Sequence, residues 1–548
     1  MTRREAVLSA LLVFVVALVI RAIVAPQIVF PKPEDTAYYF GVARNLLEGR
    51  GLVSDAMWSF GTEPLVFPKP AFEVWLPLPA FIAAIPMGVL GITYANAQLP
   101  FIVIGSLIPV LAWRLGADVA LERGVSKNRI HAIALGTGLT CAVYLHLVLF
   151  SALTDSTVVF GVLALSACLL MARVARDPRG ARWTDPRVLG IGVLLGFAAL
   201  TRNEAAWLAI VWVVIVWNVS GLTRGERVRL IAGAAIPAIV VFAPWALRNT
   251  LVFGSPLPGQ TVSNAFSVTG HDIFAWNDPP TLSRYLAVGL PRLLEMRVEG
   301  LGHNLVTVLL LPGIPISLVG LIALPWQGRD RATRPVLLLA LSTFLVTSLL
   351  FPVATTWGTF LHAAAPAHVL LVLSCILALD WALAWLGARL GWHRPVAWLA
   401  AVLGVFSGLL FTFALIPSFG SQATADLYDE LGRRLEAAGE PLGPGTDPVI
   451  SNFPIWVAET GRQSTLALPD EPPRDVLDLA DTFGARLLIL TNAESRHWPA
   501  DLDAGVDGAE CFQLLDLGNP MEVGGPDHGP DPLAGTTVYR IGCPESAP

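Results

Sequence analysis

The chain has 548 residues, of which 54% are hydrophobic and only 14% are charged, and its mean hydropathy is +0.62. A soluble protein is about 25% charged, so this composition excludes a soluble globule. The formal net charge of −6 is the sum of two unlike parts. Residues 1–419 hold 29 Lys and Arg against 20 Asp and Glu, whereas residues 420–548 hold 7 against 22. Neither part has the clustered basic face that nucleic-acid binding requires, so we expect no nucleic-acid partner.

Apolar runs recur from the N-terminus to about residue 416, and most are long enough to cross about 30 Å of hydrocarbon. They predict a polytopic, all-α membrane protein with about eleven transmembrane helices. The predicted spans are residues 6–25, 93–113, 130–150, 156–172, 188–202, 204–220, 230–247, 301–326, 336–352, 361–387 and 396–416. The stretch 72–91 contains three prolines, which favour an interfacial or re-entrant helix over a span. Arg21 interrupts the end of the first apolar run, which favours an uncleaved anchor over a signal peptide.

Basic residues indicate the orientation, because short cytoplasmic loops retain Lys and Arg during insertion. Such residues collect in segments 114–129, 173–187, 224–229 and 329–334, with Arg3 and Arg4 before them and Arg389 and Arg394 after them. The predicted topology is a multi-pass plasma-membrane protein with a cytoplasmic N-terminus. Its long polar loops, 26–92 and 248–300, and its C-terminal tail then face outward.

The acidic tail, residues 420–548, is predicted to form a small extracytoplasmic α/β domain that follows a transmembrane domain over 1–419. Amphipathic helices are expected at 423–438 and 474–483, and apolar runs at 448–451, 485–491 and 537–541 predict strands. The tail has no metal-spaced His/Cys set, so we assign it no chemistry. Whether Cys511 and Cys543 pair in an oxidising exterior is left open by the sequence.

Two carboxylates are the candidates for catalysis at the outer face. Asp35 begins a helical pattern after the first span, and Asp155 lies where the third predicted span turns into the fourth. Each could simply cap a helix. Together they also fit a pair that activates a hydroxyl or holds a divalent cation. Metal dependence is left open, with Asp35 and Asp155 as the ligands if there is a metal.

Basic side chains occur at the same predicted depth. Charges near hydrocarbon are costly and are usually paired or functional, so Arg202 beside Glu204 is either a structural ion pair or a functional group. Lys and Arg side chains near the outer membrane surface are suited to bind an anionic lipid phosphate. The candidates are Lys69, Arg202, Arg248 and His362, although for His362 the residue alone slightly favours a packed structural histidine.

Four motifs in this order carry a resemblance to a known group of proteins. They are Asp35-Thr-Ala-Tyr-Tyr with Ala43 to Gly49, Lys69-Pro70, Gly196 to Glu204, and Pro244 to Pro256. Over about residues 1–420 the chain resembles the polytopic glycosyltransferases of the glycosyltransferase C superfold. The resemblance is to bacterial relatives of dolichyl-phosphate-mannose protein mannosyltransferase and of the lipid A aminoarabinose transferase.

This resemblance implies a sugar donor on a polyprenyl phosphate, an extracytoplasmic glycan, lipid or protein acceptor, and inverting transfer. It implies that Asp35 is the general base and that Asp155 is the second acidic position. Lys69, Arg202 and Arg248 would then stabilise the leaving lipid phosphate.

The chain also departs from the family pattern. Pro68 replaces a Glu that some members carry before Lys-Pro, Thr250 follows Asn249 where many have Tyr, and Leu361-His362 replaces an Arg-Tyr. His362 is therefore expected to substitute as a contact to phosphate or acceptor. The alternative functions are a lipid or polysaccharide transporter, or a non-catalytic membrane scaffold that presents the tail.

Overall fold

The computed structural model describes residues 2–178, 182–259, 261–392, 396–518 and 531–543. Arg179 and Arg394, two of the basic residues that indicate the predicted orientation, lie outside this part of the chain. The helices, in chain order from α1 to α23, are Arg3–Val24, Glu34–Leu47, Leu78–Leu90, Tyr94–Gly105, Leu107–Glu122, Lys127–Ala142, Leu145–Leu149, Ser156–Arg176, Pro186–Ala199, Ala205–Trp217, Arg224–Phe253, Thr261–Asn264, Leu282–Ala287, Gly289–Gly302, Ile316–Gln327, Arg334–Leu350, Thr359–Ala363, Ala365–Arg389, Ala397–Leu415, Gln422–Ala437, Pro454–Gly461, Pro473–Phe483 and Ala500–Asp503. The strands β1 to β8 are Val53–Ser54, Ala56–Met57, Lys69–Pro70, Val449–Ser451, Thr465–Ala467, Leu487–Thr491, Phe512–Leu514 and Thr536–Ile541.

Many of these helices have the length and composition of membrane spans. Among the described residues six qualify singly: Arg3–Gln27, Tyr94–Glu122, Ser156–Arg176, Arg224–Phe253, Ala365–Arg389 and Ala397–Ala437. The number reaches eight when two bent pairs are each counted as one span, namely Lys127–Ala142 with Leu145–Ala152 and Gly289–Gly313 with Ile316–Gln327. A multi-pass membrane protein is therefore supported, and the count of about eleven stays a prediction.

Three of the predicted spans correspond to short helices. Helices α9, α10 and α16 contain 14, 13 and 17 residues. At 1.5 Å per residue they are about 20–26 Å long, which is less than the roughly 30 Å of hydrocarbon. The proline-rich stretch 72–91 forms α3, in which Pro86 lies inside the helix.

The chain divides into two compact units. Unit 1 comprises residues 1–28, 75–250 and 294–419, and unit 2 comprises residues 29–74, 251–293 and 420–548. The sequence places the loops 26–92 and 248–300 in the transmembrane domain, but most of each loop groups with the tail. The reason is that their backbone and side chains pair with residues of 420–548, as β2 does below.

Unit 1 is a helical bundle in which helices approach closely at glycines. A Cβ at Gly192 would lie 2.2 Å from the Ala234 carbonyl oxygen, and one at Gly320 would lie 2.1 Å from that of Leu371. Small residues permit this backbone contact between apolar helices. Arg21, which is fully buried, donates to Ser151 Oγ at 2.8 Å and to the carbonyl of Leu147 at 3.1 Å. These bonds anchor α1 within the bundle and satisfy a charge that the hydropathy pattern presents only as an interruption.

In the described part of unit 2, six strands form a mixed sheet in the order β2-β5-β4-β6-β8-β7. The first four strands are parallel, and β8 runs antiparallel to both β6 and β7. A separate antiparallel pair, β1 and β3, lies in the segment 53–70. Strands β4, β6 and β8 and helices α20 and α22 lie at the predicted positions. In this sheet the sequence missed β2, β5 and β7, because two or three residues are too few to show an alternating pattern.

The core of unit 2 lies between the sheet and its helices. It contains Ile450, Leu466, Leu488, Leu479 and Trp498, all of which are fully buried. Cys511 and Cys543 form a disulfide in this unit, which answers the question that the sequence left open. Cys141, Cys168 and Cys375 are free and buried in unit 1.

Candidate functional site

In unit 1 the site begins at Asp155, which caps the N-terminus of α8. Its Oδ1 accepts the Thr157 N–H at 2.7 Å and also the Thr157 hydroxyl. The side chain is completely buried. Its Oδ2 has no hydrogen-bond partner among the described residues. A buried carboxylate oxygen without a partner is costly unless a ligand or a cation occupies it. The capping interpretation is therefore correct but accounts for only one of the two oxygens.

His362, 207 residues further along the chain, lies beside this carboxylate. Its Nδ1 is 3.2 Å from Asp155 Oδ1 and 3.0 Å from Thr157 Oγ1. It belongs to the short helix α17, which follows Gly358 at φ +110°, a conformation that glycine adopts without strain. The imidazole is 6% exposed, and the Phe150 ring meets it edge-on at 5.5 Å. The carboxylate and the surrounding rings thus set the orientation of the imidazole.

Arg202 joins the segments that carry these two residues. Its guanidinium forms a two-bond pair with Glu204, with Nε to Oε2 at 3.0 Å and Nη2 to Oε1 at 2.8 Å. Nη1 donates to Ser156 Oγ at 2.9 Å, and Nη2 donates to the Thr359 carbonyl at 3.1 Å. Glu204 is only 4% exposed. The structural ion pair considered from the sequence is present, and it ties the start of α8 to the start of α17.

Arg248 is also in unit 1, near the end of α11. Its guanidinium lies over the Trp245 ring at 4.9 Å, and Nη1 donates to Asn249 Oδ1 at 3.2 Å. Stacking on an aromatic face restricts the orientation of a guanidinium.

In unit 2, Asp35 is a half-buried residue in the first turn of α2, where the helix starts after Pro33. Glu34 precedes it, and Glu34 Oε1 accepts the N–H of Ile455 at 3.0 Å. Burial raises the pKa of Glu34 to about 8, and the neighbouring Asp35 acts in the same direction. The first turn of α2 thus carries two adjacent carboxyl groups.

Lys69, in β3, is almost completely buried in unit 2. Its Nζ donates to the carbonyls of Thr62 at 2.5 Å and Pro64 at 3.0 Å, and it lies 3.1 Å from Glu73 Oε2. An ammonium group has three N–H bonds. Contact with a phosphate would therefore require Lys69 to give up one of these partners. Glu73 is absent from the residues predicted from the sequence, because i+4 spacing signals an ion pair only within a helix and Lys69 lies in a strand.

Comparison with known proteins gives a structural likeness but no sequence relative. No family model matches the chain, and no curated protein matches it. The crystal structure of ArnT from Cupriavidus metallidurans bound to undecaprenyl phosphate matches with a TM-score of 0.56 at 12% identity, covering 97% of both chains. The apo structure of the same ArnT matches with a TM-score of 0.52 over the same coverage.

The chain has the glycosyltransferase C fold. The archaeal oligosaccharyltransferase AglB from Archaeoglobus fulgidus also matches, with a lower TM-score of 0.47 at 12% identity, covering 89% of this chain and 69% of AglB. At 12% identity the likeness to ArnT establishes the fold and nothing about the residues of the site.

Within this glycosyltransferase C fold, three of the predicted residues come together in unit 1. Asp155 and His362 are hydrogen-bonded to each other and to Thr157. Arg202 bonds to Ser156 and to the Thr359 carbonyl, which belong to the same two helices, α8 and α17. The hydroxyls of Ser156 and Thr157 were missed, although the sequence Asp-Ser-Thr at a predicted helix start signals a cap. A carboxylate oxygen and an imidazole nitrogen are suitable ligands for a divalent cation. Because its Oδ2 has no partner among the described residues, Asp155 is the residue of unit 1 best suited to bind a divalent cation.

Proposed function

We propose that the chain is a membrane glycosyltransferase that moves a sugar from a polyprenyl-phosphate donor to an extracytoplasmic acceptor with inversion. The observation that carries this proposal is the buried carboxylate of Asp155, paired with His362 and left with one open oxygen, in a chain with the ArnT fold. The ArnT structure contains undecaprenyl phosphate, which suggests the class of donor. The proposed orientation places the N-terminus in the cytoplasm and the disulfide-bonded tail outside.

In the proposed reaction Asp35 acts as the general base. It takes the proton of the acceptor hydroxyl while the acceptor oxygen attacks the anomeric carbon of the sugar. The bond from that carbon to the phosphate oxygen breaks, and both electrons leave with the polyprenyl phosphate. Arg248 and Arg202 provide positive charge for the phosphate as its negative charge develops. Lys69 and His362 complete the proposed set of phosphate-binding residues.

A divalent cation is proposed as an additional group, with Asp155 as a ligand and Asp35 as the second acidic candidate. When bound, it would neutralise charge on the phosphate. Asp155 and His362 already supply the oxygen and nitrogen atoms that such an ion needs. The Thr157 hydroxyl holds Oδ1 of the carboxylate in place, which leaves Oδ2 for the ion.

The test measures the loss of the polyprenyl-phosphate sugar donor over time. Purified full-length protein is supplied with a panel of polyprenyl-phosphate sugars and acceptors. We expect Asp35→Asn to lower the turnover about 10²–10⁴-fold, the usual contribution of a general base. Asp475→Asn is the matched control, because Asp475 is also an acid in the first turn of a helix of unit 2. Full turnover by Asp35→Asn would refute Asp35 as the general base. Absence of sugar transfer by the wild type across the panel would refute the enzymatic proposal and favour a transporter or a scaffold.

A further inference from the structure

The helix that carries Asp35 is held along one face by a short helix of the tail. Helices α2 and α21 pack together within unit 2. Their N-terminal ends contact each other, and so do their C-terminal ends. Near the start, Glu34 accepts the Ile455 N–H at 3.0 Å. Near the end, Arg44 Nη1 lies 2.6 Å from Glu459 Oε1. The two helices therefore lie side by side in parallel.

Further contacts strengthen both ends of this pairing. The indole N–H of Trp456 donates to the Pro31 carbonyl at 3.1 Å, in a buried environment just before α2. Beyond the Arg44 pair, Glu48 forms an ion pair with Arg462. Between the ends, a Cβ at Gly41 would lie 3.0 Å from Glu459 Oε2, so the absence of a side chain allows the close approach.

The Glu34 carboxyl group lies between the starts of these two helices. It belongs to the first turn of α2, and it accepts an N–H in the first turn of α21. One side chain thus joins the two helix starts, and it is next to Asp35 in the sequence.

We propose that Glu34 is a positioning residue, whose carboxyl group ties the first turn of α2 to α21 and so sets the direction of the Asp35 side chain. This inference rests on the proposed function, in which Asp35 is the base. A base must be placed within a fraction of an ångström of the productive geometry, and a 1 Å displacement costs about 100-fold in rate. The pairs Arg44–Glu459 and Glu48–Arg462 hold the other end of α2 and prevent rotation of the helix.

The burial of Glu34 is compatible with this task. Two titratable side chains face it within unit 2, Asp35 on the same helix and Tyr428 on α20. Burial raises the pKa of Glu34 to about 8, so the group holds its proton near neutral pH. A neutral Glu34 still accepts the Ile455 N–H through its carbonyl oxygen, and it adds no negative charge beside Asp35.

The test uses the full chain with Glu34→Ala, Glu34→Gln and a control, Arg474→Ala. Arg474 forms an exposed ion pair with Asp507 in the same unit, away from the pairing described here. We expect Glu34→Ala to lower kcat about 100-fold with KM within about twofold, because position is lost but binding is not. Glu34→Gln should recover kcat to within about threefold, since an amide oxygen accepts the same bond. It should also shift the alkaline limb of the pH–kcat profile, which Arg474→Ala should leave in place.

Hydrogen exchange provides a readout that does not depend on activity. In Glu34→Ala the amides of residues 36–40 should exchange about tenfold faster or more, because the first turn of α2 loses its tie to α21. In Glu34→Gln and Arg474→Ala they should exchange at the wild-type rate. Unchanged exchange in Glu34→Ala, or a kcat equal to that of Arg474→Ala, would overturn the inference. If the wild type transfers no sugar, the proposed function fails, and the exchange rates still decide whether Glu34 holds α2.

Discussion

The ion pair between Arg202 and Glu204 allows a quantitative test of the network in unit 1. Arg202→Gln leaves the Glu204 carboxylate, which is 4% exposed, without its two charge-assisted hydrogen bonds. An unpartnered buried charge costs about 3–5 kcal/mol. Glu204→Gln leaves Arg202 with Ser156 Oγ and the Thr359 carbonyl as acceptors and should cost about 1–3 kcal/mol. In the double variant no charge remains unpaired, so its cost should be about 3 kcal/mol below the sum of the two.

The measurement is the free energy of unfolding of the purified protein in mixed micelles, followed by tryptophan fluorescence. The expected order of stability is wild type, Glu204→Gln, then Arg202→Gln, with a clearly non-additive double variant. Equal losses for the two single variants, or strict additivity, would refute the reasoning.

Three further predictions concern the metal, the disulfide and the pH dependence. If a cation is required, a chelator should lower sugar transfer, and Asp155→Asn should lower the metal content measured by mass spectrometry while the amide oxygen keeps the α8 cap. The double variant Cys511→Ser/Cys543→Ser removes the disulfide, which joins residues 32 positions apart and restricts the unfolded chain. Its free energy of unfolding of unit 2, measured by denaturant titration, should be about 3–4 kcal/mol lower. Since folding raises the pKa of Glu34 from 4.5 to about 8, the folded state keeps a proton that the unfolded state loses. The contribution of Glu34 to the free energy of unfolding is therefore complete below pH 4.5 and decreases by about 1.4 kcal/mol per pH unit up to about pH 8. Denaturant titrations at several pH values should show this slope in the wild type and not in Glu34→Gln.

Hydropathy and periodicity are local properties, and they predicted the local features of this chain. The apolar runs indicated a multi-pass membrane protein, and the six long apolar helices lie at predicted spans. The apolar runs of the tail gave the positions of β4, β6 and β8. The motifs also led to the glycosyltransferase C fold that the comparison with ArnT supports. Short elements such as β2 were missed, because their pairing depends on residues far along the chain.

The sequence by itself determined the residue types of the site and the membrane character of the protein. Only the tertiary structure decided which of these residues meet. Asp155 and His362 are 207 positions apart, and no local pattern predicts that an imidazole lies 3.2 Å from a capping carboxylate. Glu34 is likewise 421 positions from Ile455, whose N–H it accepts. Such contacts arise from packing, because burial forces each polar group to find a partner wherever the fold brings one within hydrogen-bond distance.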